Sequence, residues 1–519
     1  MYEYGSEVVF MAQKSVLLSV DLGTTFTKAG AYSLKGELLA TATRKAKSEM
    51  TDGNAFIQYG EAFLMDTVEV LREVVQQIGS VKIEAIGFTG QMAGMIGVDE
   101  NFNAVTIWSG TIDGRQQKYM KDISDAYADR MLILSGTNSP FMASKIRWLQ
   151  NEEPEQFAKV QKYLVLTGFV IGRLALLQIT DAFIDKTYLT WTGLADLLHN
   201  DWSPELCYLI GIDIRRLPKV VPCNSVVGYL SPEYADMCGL PSGIPLVAGA
   251  GDKPAGCLAV GAFEQGMLVD ECSSVGALSL CVNQFTPDLK FKTLEIIPSA
   301  LPDQYYALSF LTGSGLASDW FVKTFGTGME QEAMQQNKSI FDIFDEKAFL
   351  IPAGAQGLSS ISVLWGRALP SQPYIKGAFI GHDWRHTPAH FYRAFLEGLA
   401  YEFGYFLWVM KRTYPDVALR QVRAIGGGAK SNLSRKIKTD VLALPYESIS
   451  RSDSSLIGVT LLAGNAIGVF SDIKQTAMSF IEISHVETPD SSTVLFYQTQ
   501  IEAYQKLLSD LEMIYRTKA

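Results

Sequence analysis

The stretch VLLSVDLGTTFTKAGAYSLKGELLATATR, from Val16 to Arg44, constrains the fold more than any other. The apolar run Val16 to Val20 has the length and composition of a central strand. It delivers Asp21, then Gly23-Thr24-Thr25, then a second strand, and Ser33-Leu34-Lys35-Gly36 turns the chain into a third. The second half opens in the same way, because Met267 to Asp270 and Ala277 to Val282 read as strands around a small-residue turn. At 519 residues the chain is too long for one core. Two halves that each open strand, turn, strand predict a duplicated α/β fold with a cleft between lobes and a crossover in residues 217–266.

Other segments fill in this plan. Gly60 to Gln77 has helical apolar spacing, and Lys82 to Thr89 reads as a strand. Ile96 to Asp99 and Val105 to Trp108 flank ENFN, a turn. Val422 to Ile425 is a strand running into Gly426-Gly427-Gly428. Helices are predicted over Pro388–Tyr401, Ser431–Leu444, Ser455–Phe470 with a Gly-Ala seam, and Thr499–Arg516 at the end.

Composition narrows the partners. A formal net charge of -11 argues against a nucleic acid or an anionic membrane as the main partner. No apolar run reaches the ~20 residues of a spanning helix. The start of the chain carries Glu3 and Glu7 where a signal peptide is basic, so residues 1–14 read as a short extension. Six cysteines without CxxC spacing read as reduced, mostly buried thiols in a cytoplasmic protein.

Three segments carry chemistry. A Gly-Thr-Thr turn exposes backbone N–H groups and hydroxyls that can wrap a phosphate, with Asp21 placed to hold Mg²⁺ through water and Lys28 adding positive charge. A tight hairpin with a capping Asp reads equally well from this stretch alone. PLVAGAGDKPAGCLAVGAF, from Pro245, ends a strand in small residues and delivers Asp252 at a helix start. A carboxylate there can take a proton from a substrate hydroxyl attacking phosphorus, or cap the helix from Lys253. AIGGGAKSNLSRKIKTDVLALP, from Ala424, joins a strand, a Gly triplet and a helix N-terminus, a surface open to a flat ring or a phosphate. No GxxxxGK[ST] is present, so the chain has no P-loop.

Taken together, SVDLGTTFTKAG, GAGDKPAG, AIGGGAKSN, SLIGVTLLAGNAIGVF and KGAFIGHDWRHTPAHFYRAFLEGLAYE resemble the FGGY family of carbohydrate kinases, and SKIRWL and Thr180-Asp181 also fit. The resemblance runs from about Val16 to about Phe470. It implies two ribonuclease-H-like domains of the actin, heat-shock 70 and sugar kinase superfamily, with an active-site cleft between them. It places a sugar and phosphate domain at 15–255, a nucleotide domain at 256–475 and a helical segment at 476–519. It implies MgATP as phosphoryl donor, Asp252 as general base, and Asp21 with Asp252 at the metal. Gly23, Thr24, Thr25, Lys28 and Ser273 or Ser274 would lie along the phosphates, and Gly427, Gly428 and Asn432 against the adenosine. Gln91, Met92, Asp113 and Arg115 would hold the sugar. A homodimer is common in the family, although no stretch here specifies one.

Two departures bear on substrate and nucleotide. FTGQMAGMIGVD is similar to the GQMHG segment of xylulokinases, with Ala93 in place of His, and IWSGTIDGR is a stretched form of their WxDxR segment. D-xylulose is the first expectation. Another ketose, a polyol or an autoinducer-2-like substrate stays open, as does a decayed sugar- or nucleotide-binding regulator. The second phosphate loop reads ECSS where the family has Gly-Thr-Ser or Gly-Thr-Ala, which puts Glu271 near the phosphates and a Cβ where Gly is preferred. On strand alternation only one of Asp270 and Glu271 faces the cleft. His382, His386 and His390 are spaced as a stripe, but Pro388 makes them a loop and a helix start. The aromatic run from Tyr401 reads as a core helix, and the charges of KIRWLQNEEPEQF as a solvated face.

Overall fold

The computed structural model describes residues 15–51, 54–273, 275–451 and 453–517. The extension over residues 1–14 lies outside them, as does Ser274. Two sheets dominate. The first contains β1 (Ser15–Leu22), β2 (Phe26–Ser33), β3 (Leu38–Lys45), β4 (Lys82–Gly90), β5 (Val226–Tyr229) and β6 (Pro245–Val247), in the order β5-β6-β4-β1-β2-β3. The second contains β7 (Leu268–Glu271), β8 (Gly276–Val282), β9 (Glu295–Pro298), β10 (Tyr305–Leu311), β11 (Val422–Ile425), β12 (Tyr446–Ile449) and β13 (Ile483–Glu487), in the order β9-β10-β8-β7-β11-β12-β13.

The duplication is visible in the pairing. β1 pairs antiparallel with β2 and parallel with β4. β7 pairs antiparallel with β8 and parallel with β11. Each sheet thus joins an antiparallel ribbon to two parallel crossovers and closes with one antiparallel edge strand. β1, buried along most of its length, needs the continuous apolar run that the sequence supplies.

The helices that position the site are α1 (Gly60–Ile78), α2 (Phe141–Glu152), α3 (Asp252–Ala259), α4 (Pro388–Thr413), α5 (Asn432–Leu442), α6 (Ser454–Ala466) and α7 (Ser491–Arg516). α4 runs a full twelve residues beyond the predicted end at Tyr401, because the aromatic run that follows is its buried face. His390 lies in its first turn, with Nδ1 accepting from the Thr387 N–H at 3.2 Å, so this histidine works as a helix cap. α6 ends at Ala466, before the predicted Phe470. The segment after residue 476 is not wholly helical, since β13 adds a strand to the second sheet.

α6 comes from the C-terminal half yet packs on β1 and β4 of the first sheet and against α3. The Gly-Ala seam explains the close approach. A Cβ on Gly458 would lie 2.1 Å from the Ala255 carbonyl oxygen of α3, and one on Gly87 of β4 would lie 2.4 Å from the Val459 oxygen. Leu17, Val247, Ala250, Ala255, Leu456 and Val459 form the apolar filling between these elements. Ser19 and Thr460 hydroxyls meet at 2.5 Å inside it. The six cysteines carry no disulfide, and five are buried.

Candidate active site

β6 ends in Ala248-Gly249-Ala250-Gly251 and α3 starts at Asp252. The helix cap is Gly251, so the reading of Asp252 as an N-cap is corrected: it is the first helical residue, and its Oδ1 accepts from the Lys253 N–H at 2.8 Å. Gly249 has φ +74°, and a Cβ there would lie 1.7 Å from the Phe88 oxygen, so only glycine lets the loop pass. A Cβ on Gly251 would lie 2.6 Å from Met92 Sδ, which puts the QMAG segment directly against the loop that carries Asp252. The Gly251 N–H donates to Thr187 Oγ1 at 2.9 Å, and the Thr187 N–H donates to Asp185 Oδ1 at 3.0 Å. Asp185 is buried, with one carboxylate oxygen unpartnered, and burial pushes its carboxyl up to about 7. Nothing in the sequence pattern flagged this support.

Asp252 is largely enclosed but not sealed from solvent. Burial pushes its carboxyl up, Lys253 opposes, and Glu271 and Asp21 add to the rise, leaving it at about 7. A carboxyl poised there exchanges protons readily near neutral pH.

Asp21 stands opposite Lys28 in the β1–β2 register. Burial raises its carboxyl, against the pull of Lys28 and of Ser455, whose Oγ donates to Asp21 Oδ2 at 3.1 Å. Ser455 is 434 residues away in the chain and arrives on α6. The turn after Asp21 is tight, with the Gly23 N–H donating to the Phe26 oxygen at 3.1 Å. Thr25 and Lys28 are exposed. Thr24 Oγ1 donates to Gln91 Oε1 at 3.3 Å, and Gln58 Nε2 donates to the Thr24 oxygen at 2.9 Å. These bonds tie the phosphate-type turn to the sugar-type segment.

Asp113 is buried, and its carboxylate accepts from Ser109 Oγ at 2.6 Å and from Arg115 Nε at 2.9 Å. Burial opposes its charge, but Arg115 and Ser109 hold the carboxyl below the usual carboxylate range. The Arg115 guanidinium stacks 4.3 Å over Trp148 of α2. Lys145 corrects the solvated-face reading of α2. It is 1% exposed, its Nζ donates to the Gly110 oxygen at 2.9 Å, and burial pushes its ammonium down to about 7. Arg115, Lys145 and Trp148 line one small cavity with Met95 and Ser109, behind the sugar-type segment.

The Gly triplet borders a cavity of ≈ 710 Å³. Gly427, Gly428, Cys272, Ser273, Ser431, Ser434 and Lys438 face it from one side, Tyr392 and Leu396 of α4 from another. Asn432 is the exception among the predicted residues. It is exposed, and its Oδ1 is taken by Arg435. Ser431, one residue earlier, caps α5 and lines the cavity instead. Ser273 Oγ donates to the Val275 oxygen at 2.7 Å. The two acids of β7 part as strand alternation requires: Asp270 accepts from buried Lys438 at 2.7 Å and Tyr446 at 2.6 Å, while Glu271 turns to Lys253 at 2.5 Å. The sequence alone could not show that each acid brings its own lysine.

Comparison with known families decides what this arrangement belongs to. Residues 16–259 match the N-terminal domain of the FGGY family of carbohydrate kinases, and residues 280–467 match its C-terminal domain. The chain belongs to the FGGY family of carbohydrate kinases. This FGGY kinase is a sugar phosphotransferase, and its family implies ATP as cosubstrate. It is similar to a xylulose kinase of Bacillus subtilis (strain 168), with 24% identity covering 95% of this chain and 96% of the relative. It is also similar to a gluconokinase of the same organism, with 25% identity covering 96% and 97%. The structure of a ligand-bound xylulose kinase from Lactobacillus acidophilus superposes with a TM-score of 0.87 at 22% identity, covering 97% of this chain and all of that one. That likeness fixes the two-domain α/β fold. Among the described residues no helix is long and apolar enough to cross a membrane.

Proposed function

We propose that this kinase transfers the γ-phosphoryl group of ATP to a hydroxyl of a small open-chain ketose, D-xylulose first, with Asp252 as general base. The observation that carries the reading is the juxtaposition at Gly251: the loop that delivers Asp252 packs on Met92, while Asp21 acts electrostatically on the same carboxyl. The loop that carries the base thus lies beside the sugar segment, with Asp21 of the phosphate turn in electrostatic reach. Asp252 accepts the hydroxyl proton as the substrate oxygen bonds to the γ-phosphorus, and the bond to the bridging oxygen of ADP breaks. Gly23, Thr24, Thr25, Lys28 and Ser273 lie along the phosphates. Gly427, Gly428 and, in place of Asn432, Ser431 lie against the adenosine. Gln91, Met92, Asp113 and Arg115 hold the sugar.

Two carboxylates sharing a solvent-reached space are a hard-oxygen donor set that suits Mg²⁺, with the remaining ligands coming from phosphate and water. Asp21 and Asp252 would hold the ion through water, and the bound ion would neutralise charge on the phosphates. Closure of the lobes excludes water from the transfer.

The ketose preference has a direct test. Ala93 sits at φ +60°, a conformation that His adopts more readily than most residues. Ala93→His restores an imidazole at the position where xylulokinase-type segments have one. It is expected to raise kcat/KM for D-xylulose by roughly tenfold relative to D-gluconate, the scale of one added hydrogen bond to a substrate hydroxyl. A variant that instead gains toward gluconate, or loses both equally, contradicts the ketose reading. Asp113→Asn should raise the sugar KM far more than the ATP KM, because it releases Arg115 from its fixed stack on Trp148. Equal effects on both KM values would remove Asp113 and Arg115 from the sugar site.

A further inference from the structure

Lys253 follows the proposed base directly and is in the first turn of α3, the end of a helix where a positive charge is least favoured. Its Nζ lies 2.5 Å from Glu271 Oε2, with both side chains mostly buried. Glu271 is the last residue of β7, immediately before Cys272 and Ser273 of the nucleotide cavity. The ammonium therefore joins the start of the helix that carries the base to the end of β7, one residue before the loop that lines the nucleotide cavity. The close ion pair with Glu271 holds Lys253 in place as an ammonium.

As a structural latch this pair is a poor device, since a buried ion pair is seldom more stabilising than apolar residues of the same shape. As a resting arrangement for a catalytic cation it makes sense. Glu271 keeps the positive charge in place when no phosphate is present, and the more highly charged phosphates of ATP outcompete one carboxylate.

Building on the kinase reading above, we propose that Lys253 is a catalytic residue: it leaves Glu271 and donates hydrogen bonds to the equatorial oxygens of the phosphoryl group in flight. Lys253 keeps its proton throughout. The hydroxyl proton goes to Asp252, the new O–P bond forms to the sugar, and the electron pair of the broken bond stays on ADP.

The test reads the transition-state charge without needing the sugar. The affinity of the full-length protein for MgADP is measured by calorimetry with and without aluminium fluoride, a mimic of the phosphoryl group in flight. Aluminium fluoride is expected to tighten MgADP binding at least tenfold in the wild type and less than twofold in Lys253→Gln, with binding of MgADP alone within threefold. Glu271→Gln, which frees the ammonium, is expected to tighten more than the wild type. The double variant Lys253→Gln/Glu271→Gln has no unpaired buried charge, so it controls for misfolding. It is expected to melt like the wild type and still lack the tightening. Full tightening in either lysine variant, or none in the wild type, overturns the role of Lys253. A wild type that does not bind MgADP overturns the kinase reading itself, and this inference with it.

Discussion

Asp252→Asn is expected to lower kcat by roughly 10²–10⁴-fold, the usual contribution of a positioned general base, while leaving the fold intact and the apo protein more stable. The two effects share one cause. The folded carboxyl titrates at about 7 against an ordinary value of 3.8, so folding takes up a proton between those pH values. Its stabilisation is complete below about pH 4 and is lost as pH rises to about 7, after which the penalty is constant. At about 1.4 kcal/mol per unit, the wild type above pH 7 carries up to about 4 kcal/mol that an uncharged amide does not. Denaturant melts of the two proteins at pH 5 and pH 8 check this: the advantage of the variant should be larger at pH 8. An advantage that is equal at both, or larger at pH 5, contradicts the burial of this charge. The same carboxyl predicts that kcat/KM for the sugar falls on the acid side, with a slope that disappears in the variant.

Gly458→Val should be strongly damaging although it lies away from the site. The added Cβ would fall 2.1 Å from the Ala255 oxygen, one turn beyond Asp252 on α3, and a backbone carbonyl cannot swing aside like a side chain. α6 and α3 must then separate, at a cost of at least about 3 kcal/mol, the upper part of the range for overpacked cores. A shift of about 1 Å at the base lowers kcat by a further ~10²-fold in the molecules that remain folded. Gly256→Ala is the matched control on the same helix. Its Cβ would meet Ile425 Cδ1 at 3.7 Å, an ordinary contact, and both stability and kcat should stay near wild type. If Gly458→Val behaves like Gly256→Ala, the seam does not position Asp252.

What the sequence revealed and what it hid follow one physical division. The β1–β2 and β7–β8 ribbons, the strand into the Gly triplet and the small-residue face of α6 are local patterns, and burial periodicity or close approach writes them into adjacent residues. The place of Asp252 at the head of α3 was legible because a strand, a small-residue loop and a helix start occupy one short stretch. Long-range partners were not. Ser455 reaches Asp21 only after α6 crosses to the first sheet, and Thr187 reaches Gly251 only through the packing of another loop. Lys145 looked solvated because lysine usually is, yet the Gly110 oxygen and Asp113 give it a buried place. Glu271 looked hostile to ATP until the fold supplied Lys253 as its partner. Asn432 differs for the opposite reason: a residue of the right type at the right spacing is turned to Arg435 by its own helix.

The proposed chemistry requires one cleft to join Asp252, a sugar and ATP. The most direct test is ADP release from the purified protein with MgATP, across D-xylulose, ribulose, sedoheptulose, erythritol, D-gluconate and an autoinducer-2 precursor. D-xylulose should give a strong response, at least a hundredfold above the rate without sugar, that is lost in Asp252→Asn. A response that survives unchanged in Asp252→Asn, or silence across the panel while MgATP binds, would contradict it.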